Sequence, residues 1–161
     1  VDPRIGVVAG DDVLDQLPNW GAQGVALKNM DDGRDYEEVR ELATSANAYF
    51  GATPVVRALE RGAQFVVTGR VTDTGITLAP MIHRFGWKST DYDQLAAGIV
   101  AGHIIECGAQ GSGGNITDWQ DVRSFHDIGY PIIEMEPSGE FTVTKQNHRL
   151  IVGNQRLKPP Q

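Results

Sequence analysis

Two short apolar runs, each ended by a glycine, constrain the fold of this chain more than any other feature. RIGVVA, residues 4–9, stops at Gly10, and the FVV run at 65–67 is followed by Gly69. Continuous apolar runs of this length are typical of strands buried on both faces of a parallel sheet. Segments of helical composition lie between and after the two runs. We therefore predict an α/β fold, mainly a parallel sheet with flanking helices.

Glycine, proline and capping residues mark the other elements. The expected helices are one that ends at Leu17, one at 36–43, and one that begins near Pro54 and ends before Gly62. Two more are expected: 74–85 with a break or kink at Pro80, and one capped within 89–91 that runs to about Cys107. A short strand is expected at 25–27. The segments PIIEM and FTVTK, joined by PSG, predict a C-terminal β-hairpin.

Charge and cysteine content limit the class of partner. The formal net charge is -7, which disfavours nucleic acid and anionic membranes because both reward surplus Lys and Arg. A small anionic ligand needs only a local basic cluster and is still allowed. Cys107 is the single cysteine, so an internal disulfide is excluded and a reducing compartment is indicated.

The GRVTD loop, residues 69–73, follows the second apolar run. Ligands of open parallel sheets bind beyond the carboxyl ends of the strands. Gly69 permits close backbone approach, Arg70 can hold a carboxylate or phosphate with two donors, and Asp73 can accept a proton or bind a metal. The alternative is a plain turn in which Arg70 pairs with Asp73 and Asp73 caps the next helix.

Asp11 and Asp12 follow the first apolar run in the same way. Adjacent carboxylates can ligate Mg²⁺ or Mn²⁺, which prefer oxygen donors, so a divalent metal is the candidate cofactor. A capped turn is the alternative, and spacing alone favours it.

The stretch GHIIECGAQGSGGN places His103, Glu106 and Cys107 on one face of a helix end. His103 and Glu106 can form an acid–base pair or two metal ligands; the alternative is a buried hydrogen-bonded pair. A helix C-terminus does not activate a thiol, so we expect Cys107 to be buried and inert.

The glycine-rich segment that follows, 108–115, lacks the spacing of a phosphate-binding loop. Backbone N–H groups of such a loop can still wrap an anion, and the alternative is a flexible connection. We expect the segment to form the wall of a cleft, with Gln110, Gly113, Gly114 and Asn115 as ligand-binding residues. We also expect Asp11, Arg70, Asp73 and His103 to line one cleft.

A series of long motifs occurs in order along the chain: GDD, SANAYFGATPVVRALERGA, VVTGRVTD, LAAGIVAGHIIECGAQGSGGN and DIGYPIIEM. The series resembles the acyclic terpene utilisation family, once a domain of unknown function, over residues 4 to about 145. The resemblance implies a cytoplasmic protein that works beside enzymes degrading citronellol and geraniol through acyl-CoA intermediates. Asn47 and Lys145 also match family motifs, and we assign both to ligand binding.

Members of that family usually carry further segments at both ends. We therefore expect residues 1–145 to be a partial family domain and 146–161 a divergent, basic tail. Without those segments, apolar surface would be exposed, so we expect the chain to self-associate into a homo-oligomer.

The leading functional hypothesis is a lyase or hydratase acting on an acyl-CoA or carboxylic acid. Arg70 would bind the carboxylate, His103 and Glu106 with Asp73 would move a proton, and the acidic residues would hold a metal that stabilises an enolate. The alternatives are a non-catalytic binding or assembly subunit, and an inactive truncated fragment.

Overall fold

The computed structural model describes residues 2–126 and 128–145. They divide into two compact units between Thr72 and Asp73. The predicted tail, residues 146–161, lies outside the described residues. Helices and strands are mixed along the chain, as expected for an α/β protein. No helix in the described part of the chain combines the length and the apolar character needed to cross a membrane.

The first unit contains a parallel pair of strands and one helix packed against it. Its elements are β1 (Ile5–Val8), α1 (Leu17–Ala22), α2 (Thr53–Glu60) and β2 (Phe65–Thr68). β1 and β2 pair in parallel, with Ile5 opposite Phe65. Gly6 lets α2 approach the sheet, because a Cβ at this position would lie 3.1 Å from the Cβ atoms of Ala58 and Ala63. The buried residues of α2, Val55 and Val56, belong to the core of this unit.

The opposite face of the parallel pair is exposed, contrary to the expectation of strands buried on both faces. Its four side chains are Ile5, Val7, Phe65 and Val67, which are between 60% and 72% accessible. A continuous apolar run indicates two covered faces, but the first unit covers only the face against α2. The predicted larger parallel sheet is likewise reduced to two strands among the described residues.

The segment between β1 and α2 differs most from the prediction. The first helix was expected to end at Leu17, but α1 begins at that residue. A 3₁₀ turn at Leu14–Gln16 precedes it. Pro18 favours this start because proline suits the first turn of a helix. No strand forms at 25–27, and 36–43 holds two 3₁₀ turns instead of a helix. Asp35 and Glu38 do form a capping box, but Val39 leaves helical geometry at φ -119°.

The second unit contains two helices and a hairpin. Its elements are α3 (Gly75–Phe85), α4 (Tyr92–Glu106), β3 (Pro131–Met135) and β4 (Phe141–Lys145). α3 continues through Pro80 and ends at Phe85; Gly86 follows as the C-cap residue, with a φ of +68° that suits glycine. The predicted hairpin is confirmed, with Met135 opposite Phe141 beside the turn.

Glycines on α4 allow α3 to pack closely against it. A Cβ at Gly98 would lie 2.6 Å from Leu78 Cδ1, and one at Gly102 would lie 3.0 Å from Thr74 Cβ. Trp87 is buried beside this contact and donates its indole N–H to the Pro137 carbonyl oxygen at 2.9 Å. The hairpin turn is thereby tied to the helix pair.

Candidate functional site

The carboxylate of Asp11 is the centre of the predicted site in the first unit. Its Oδ2 accepts the backbone N–H of Arg70 at 2.7 Å and the side-chain amide of Asn47 at 3.0 Å. The Arg70 N–H lowers the pKa of Asp11 below its ordinary value; partial desolvation opposes this shift, and Asn47 supports it. Asp11 is therefore a charged group that organises the loops around it.

Backbone hydrogen bonds place the segment containing Asn47 between the two strand-end loops. Ala48 N–H donates to the Asp11 carbonyl oxygen at 2.7 Å, and Phe50 N–H donates to that of Arg70 at 3.2 Å. Thr72 N–H donates a hydrogen bond to the Phe50 carbonyl oxygen at 2.8 Å. The predicted residues Asp11, Asn47 and Arg70 are thus brought together by the fold.

Gly69 has a steric role in the same loop. A Cβ at this position would lie 1.8 Å from Asp11 Oδ1 and 2.4 Å from Asp11 Cγ. The predicted close backbone approach at Gly69 is therefore made to the Asp11 carboxylate.

The guanidinium of Arg70 lies over the ring of Tyr49, with Cζ 5.4 Å from the ring centroid. Such cation–π contacts orient a guanidinium without using its N–H donors. Within residues 2–72 the Arg70 guanidinium forms no ion pair, and both residues are exposed. Tyr49 was absent from the predicted site, because the adjacent aromatics Tyr49 and Phe50 carry no spacing signal for a binding site.

Asp12 has a local role that matches the capped-turn interpretation. Its carboxylate accepts the N–H of Leu14 at 3.2 Å. Among the residues that the structure describes, no group of three or more His, Cys, Asp or Glu is arranged to hold a metal ion. The assignment of Asp11 and Asp12 to Mg²⁺ or Mn²⁺ stays a prediction.

In the second unit, the close contact of Thr74 with Gly102 brings Asp73 towards the end of α4. The Cys107 thiol donates to Glu106 Oε2. This hydrogen bond raises the pKa of Cys107 above its ordinary value; partial desolvation and the charges of Glu106 and Asp73 act in the same direction. Asp73 provides no side-chain cap to α3, whose N-cap residue is Thr74.

One expectation about this helix end is wrong, and one alternative is excluded. Cys107 is exposed, because α4 ends at Glu106 and the backbone turns away at the next residue. His103 and Glu106 are also exposed, so they are not a buried hydrogen-bonded pair. The Cys107 thiol and the Glu106 carboxylate are paired at the C-terminal end of α4, and His103 lies one turn earlier on the same helix. α4 ends at Glu106 with Cys107 as its C-cap residue, so the helix ends within one residue of the predicted position.

The glycine-rich segment is a compact turn and not a loose connection. A 3₁₀ turn runs over Gly108–Ser112, and Gly113 follows with φ +103°. A Cβ at Gly111 would lie 2.4 Å from the Ile104 carbonyl oxygen, and one at Gly114 would lie 2.9 Å from that of Ala109. Close contacts and a positive φ within the turn therefore explain why glycine occupies these positions.

The other predicted ligand residues of the second unit lie in different surroundings. Gln110 and Asn115 are exposed beside the turn. Lys145 is buried at the end of β4 and donates its ammonium to the Ile128 carbonyl oxygen. A ligand role for these three residues stays a prediction. The expectation that Asp11, Arg70, Asp73 and His103 line one cleft also stays a prediction. Asp11 and Arg70 belong to the first unit, while Asp73 and His103 belong to the second.

Comparison with known proteins places the chain in a family. The family model described as "Acyclic terpene utilisation family protein AtuA" matches residues 1–151. No curated protein and no solved structure matches the chain. Because the family match spans both units and includes Asp11, Arg70, His103 and Glu106, this chain belongs to the acyclic terpene utilisation family.

Proposed function

We propose that this protein acts in the catabolism of acyclic terpenes on a branched carboxylic acid or its acyl-CoA, with Arg70 as the residue that binds the acid group. Membership of the family supports the catabolic context. The observation that carries the proposal is the presentation of Arg70: Asp11 fixes its backbone while Tyr49 orients its guanidinium.

A guanidinium held in this way suits a planar anion. Its N–H donors match the two oxygens of a carboxylate, and hydrogen bonds between charged groups are roughly twice as strong as neutral ones. The exposed ring of Tyr49, 63% accessible, offers apolar surface beside the anion. In a branched carboxylic acid, Arg70 would therefore bind the carboxylate, and Tyr49 would contact the hydrocarbon.

The proposed reaction is that of a lyase or hydratase. In the hydratase direction, a base takes a proton from water as its oxygen bonds to one alkene carbon, and an acid returns a proton to the other carbon. Glu106 accepts a hydrogen bond from the Cys107 thiol, and His103 lies one turn earlier on α4. As a separate assignment within the second unit, we propose that Glu106 and His103 transfer protons, with Asp73 as the supporting carboxylate.

Ligand charge provides the first test. Calorimetric titration with citronellate should show binding, while citronellol, which has the same carbon skeleton but no carboxylate, should bind at least about tenfold more weakly. Arg70→Gln should weaken citronellate binding by about tenfold or more, and Arg84→Gln on α3 is the matched control. Equal affinity of the wild-type protein and Arg70→Gln for citronellate would refute the assignment.

Turnover provides the second test. Wild-type protein should consume an unsaturated branched acid or its CoA thioester. Glu106→Gln and His103→Gln should abolish turnover while binding of citronellate persists. Normal turnover in both variants would remove these residues from the mechanism without touching the Arg70 proposal.

A non-catalytic binding or assembly subunit is the second candidate, and the exposed apolar face of the parallel pair favours it. Ile5, Val7, Phe65 and Val67 present four large apolar side chains on one flat surface, and such patches mark interaction sites. Tight binding of citronellate without turnover of any acid or thioester would support this candidate.

A further inference from the structure

α4 is apolar on both of its sides, which is unusual for a helix with an exposed face. Its inner side is buried at Gly98, Ala101 and Gly102, where α3 packs against it. On the outer side Tyr92, Ile99 and Val100 are 72%, 40% and 53% accessible. Helices that are apolar all round are normally covered on all sides.

The exposed residues on this side follow helical spacing. Tyr92, Ala96, Ile99 and Val100 recur every three or four positions, and the polar His103 continues the row, so the five exposed residues form one stripe. We call these five residues the outer α4 stripe. Charged side chains lie only near its ends, with Asp93 in the first turn and Glu106 in the last.

We propose that the outer α4 stripe is the contact surface between two copies of this chain, with the two α4 helices packed antiparallel. A two-fold axis level with Gly98 would place Ala96 opposite the partner's Val100, and Val100 opposite the partner's Ala96. A small residue against a large one gives the interdigitation that close helix packing needs. The contact is isologous, so each matched pair occurs twice.

Polar groups near the ends of the stripe match in the same arrangement. Asp93 comes level with the partner's His103, and His103 with the partner's Asp93, so a carboxylate meets an imidazole at both ends. A parallel arrangement would instead place Asp93 beside the partner's Asp93. This complementarity favours a second copy, in the antiparallel orientation, over an unrelated apolar partner.

The apolar face of the parallel pair is the competing surface for self-association. Its side chains Ile5, Val7, Phe65 and Val67 are at least as exposed as those of the stripe. This face has no equivalent of the Asp93–His103 pairing, because its four side chains are all aliphatic or aromatic. The experiment therefore compares one substitution on each surface.

Sedimentation velocity over a range of protein concentrations tests the proposal. The wild-type chain should form a dimer. Val100→Glu places a charge at the centre of the contact and should raise the dimer dissociation constant at least about tenfold. Val67→Glu on the sheet face should leave that constant unchanged. Circular dichroism would confirm that both variants keep their helical content.

A charge exchange tests the orientation. Asp93→Arg alone should weaken the dimer, and Asp93→Arg combined with His103→Glu should restore it; the dimer dissociation constant is the readout, because His103 is also assigned to proton transfer. A wild-type monomer at every concentration would overturn the proposal. So would dissociation by Val67→Glu with no effect of Val100→Glu, or a double variant no tighter than Asp93→Arg alone.

Discussion

The carboxylate of Asp11 accepts the backbone N–H of Arg70 at 2.7 Å, although the two residues are 59 positions apart in the sequence. Asp11 follows β1 and Arg70 follows β2, so this hydrogen bond joins the loops after two parallel strands. It fixes the Arg70 backbone, and the guanidinium then lies over Tyr49. The carboxylate of Asp11 thus acts on Arg70, the residue that we propose binds the acid group, without needing to touch a ligand.

Asp11 should make stability depend on pH in the acid range. Its folded-state pKa lies below the ordinary value of 3.8, so its hydrogen bonds stabilise the fold above that value. The stabilisation is lost as pH falls through the folded-state pKa. Asp11→Asn should therefore have a lower Tm than wild type between about pH 7 and about pH 5, and the gap should shrink below about pH 4. Asp15→Asn, on an exposed carboxylate of the same unit, should show no such pattern in thermal melts.

Gly69→Ala should disturb both stability and ligand binding. The added methyl group would occupy the position of the Asp11 carboxylate, which must then leave its hydrogen bonds to Arg70 and Asn47. We expect a decrease in Tm of a few degrees and weaker binding of citronellate. Gly51→Ala is the control, because a Cβ there meets nothing within 4 Å. Equal Tm and affinity in the two variants would show that the carboxylate has no positioning role.

The Cys107 thiol should react slowly until Glu106 loses its charge. The thiol donates to the Glu106 carboxylate, which holds the pKa of Cys107 above its ordinary value of 9.0. Glu106→Gln should lower the pKa of Cys107 and increase the thiolate fraction at about pH 8, so alkylation by iodoacetamide should accelerate several-fold. Glu60→Gln on α2 is the control. An unchanged alkylation rate in Glu106→Gln would show that the thiol and carboxylate are uncoupled in solution.

Gly111→Ala should destabilise the second unit. Its methyl group would lie 2.4 Å from the Ile104 carbonyl oxygen and 3.1 Å from Pro131 Cγ. The backbone atom can yield only if α4 or the turn moves, which costs about 1–3 kcal/mol in comparable overpacked sites. Urea denaturation measures the loss. Full stability with weakened citronellate binding would instead indicate that the segment serves a ligand, as its glycine content first suggested.

Local signals in the sequence predicted the elements whose ends are fixed by glycine and proline. β2, α3, α4 and the hairpin have nearly the predicted bounds, because Gly86 and the PSG turn act within a few residues of the chain. The region around 36–43 failed for a related reason: Asp35 and Glu38 give a true helix start, but nothing in the following residues sustains the helix.

Burial and partners of the site residues were less predictable. The apolar pattern of β1 and β2 indicated two covered faces, while the exposure of Val7 and Val67 depends on which elements lie beside the sheet. Asp11, Asn47 and Arg70 were each selected as candidates, but their convergence required the path of the intervening chain. Tyr49 and the glycine-to-carboxylate contact at Gly69 depend on three-dimensional approach that spacing does not encode.

The parallel pairing of β1 with β2 also has a consequence for the order of folding. Ile5 and Phe65 pair although most of the first unit's sequence lies between them. Met135 and Phe141 are instead separated only by a tight turn. Closing a long chain segment costs more entropy and makes contact formation slower. Amides of the hairpin should therefore gain protection from hydrogen exchange earlier in refolding than those of the parallel pair. The Asp11–Arg70 hydrogen bond joins the ends of those two strands, so we expect the GRVTD loop to be among the last parts of the first unit to become ordered.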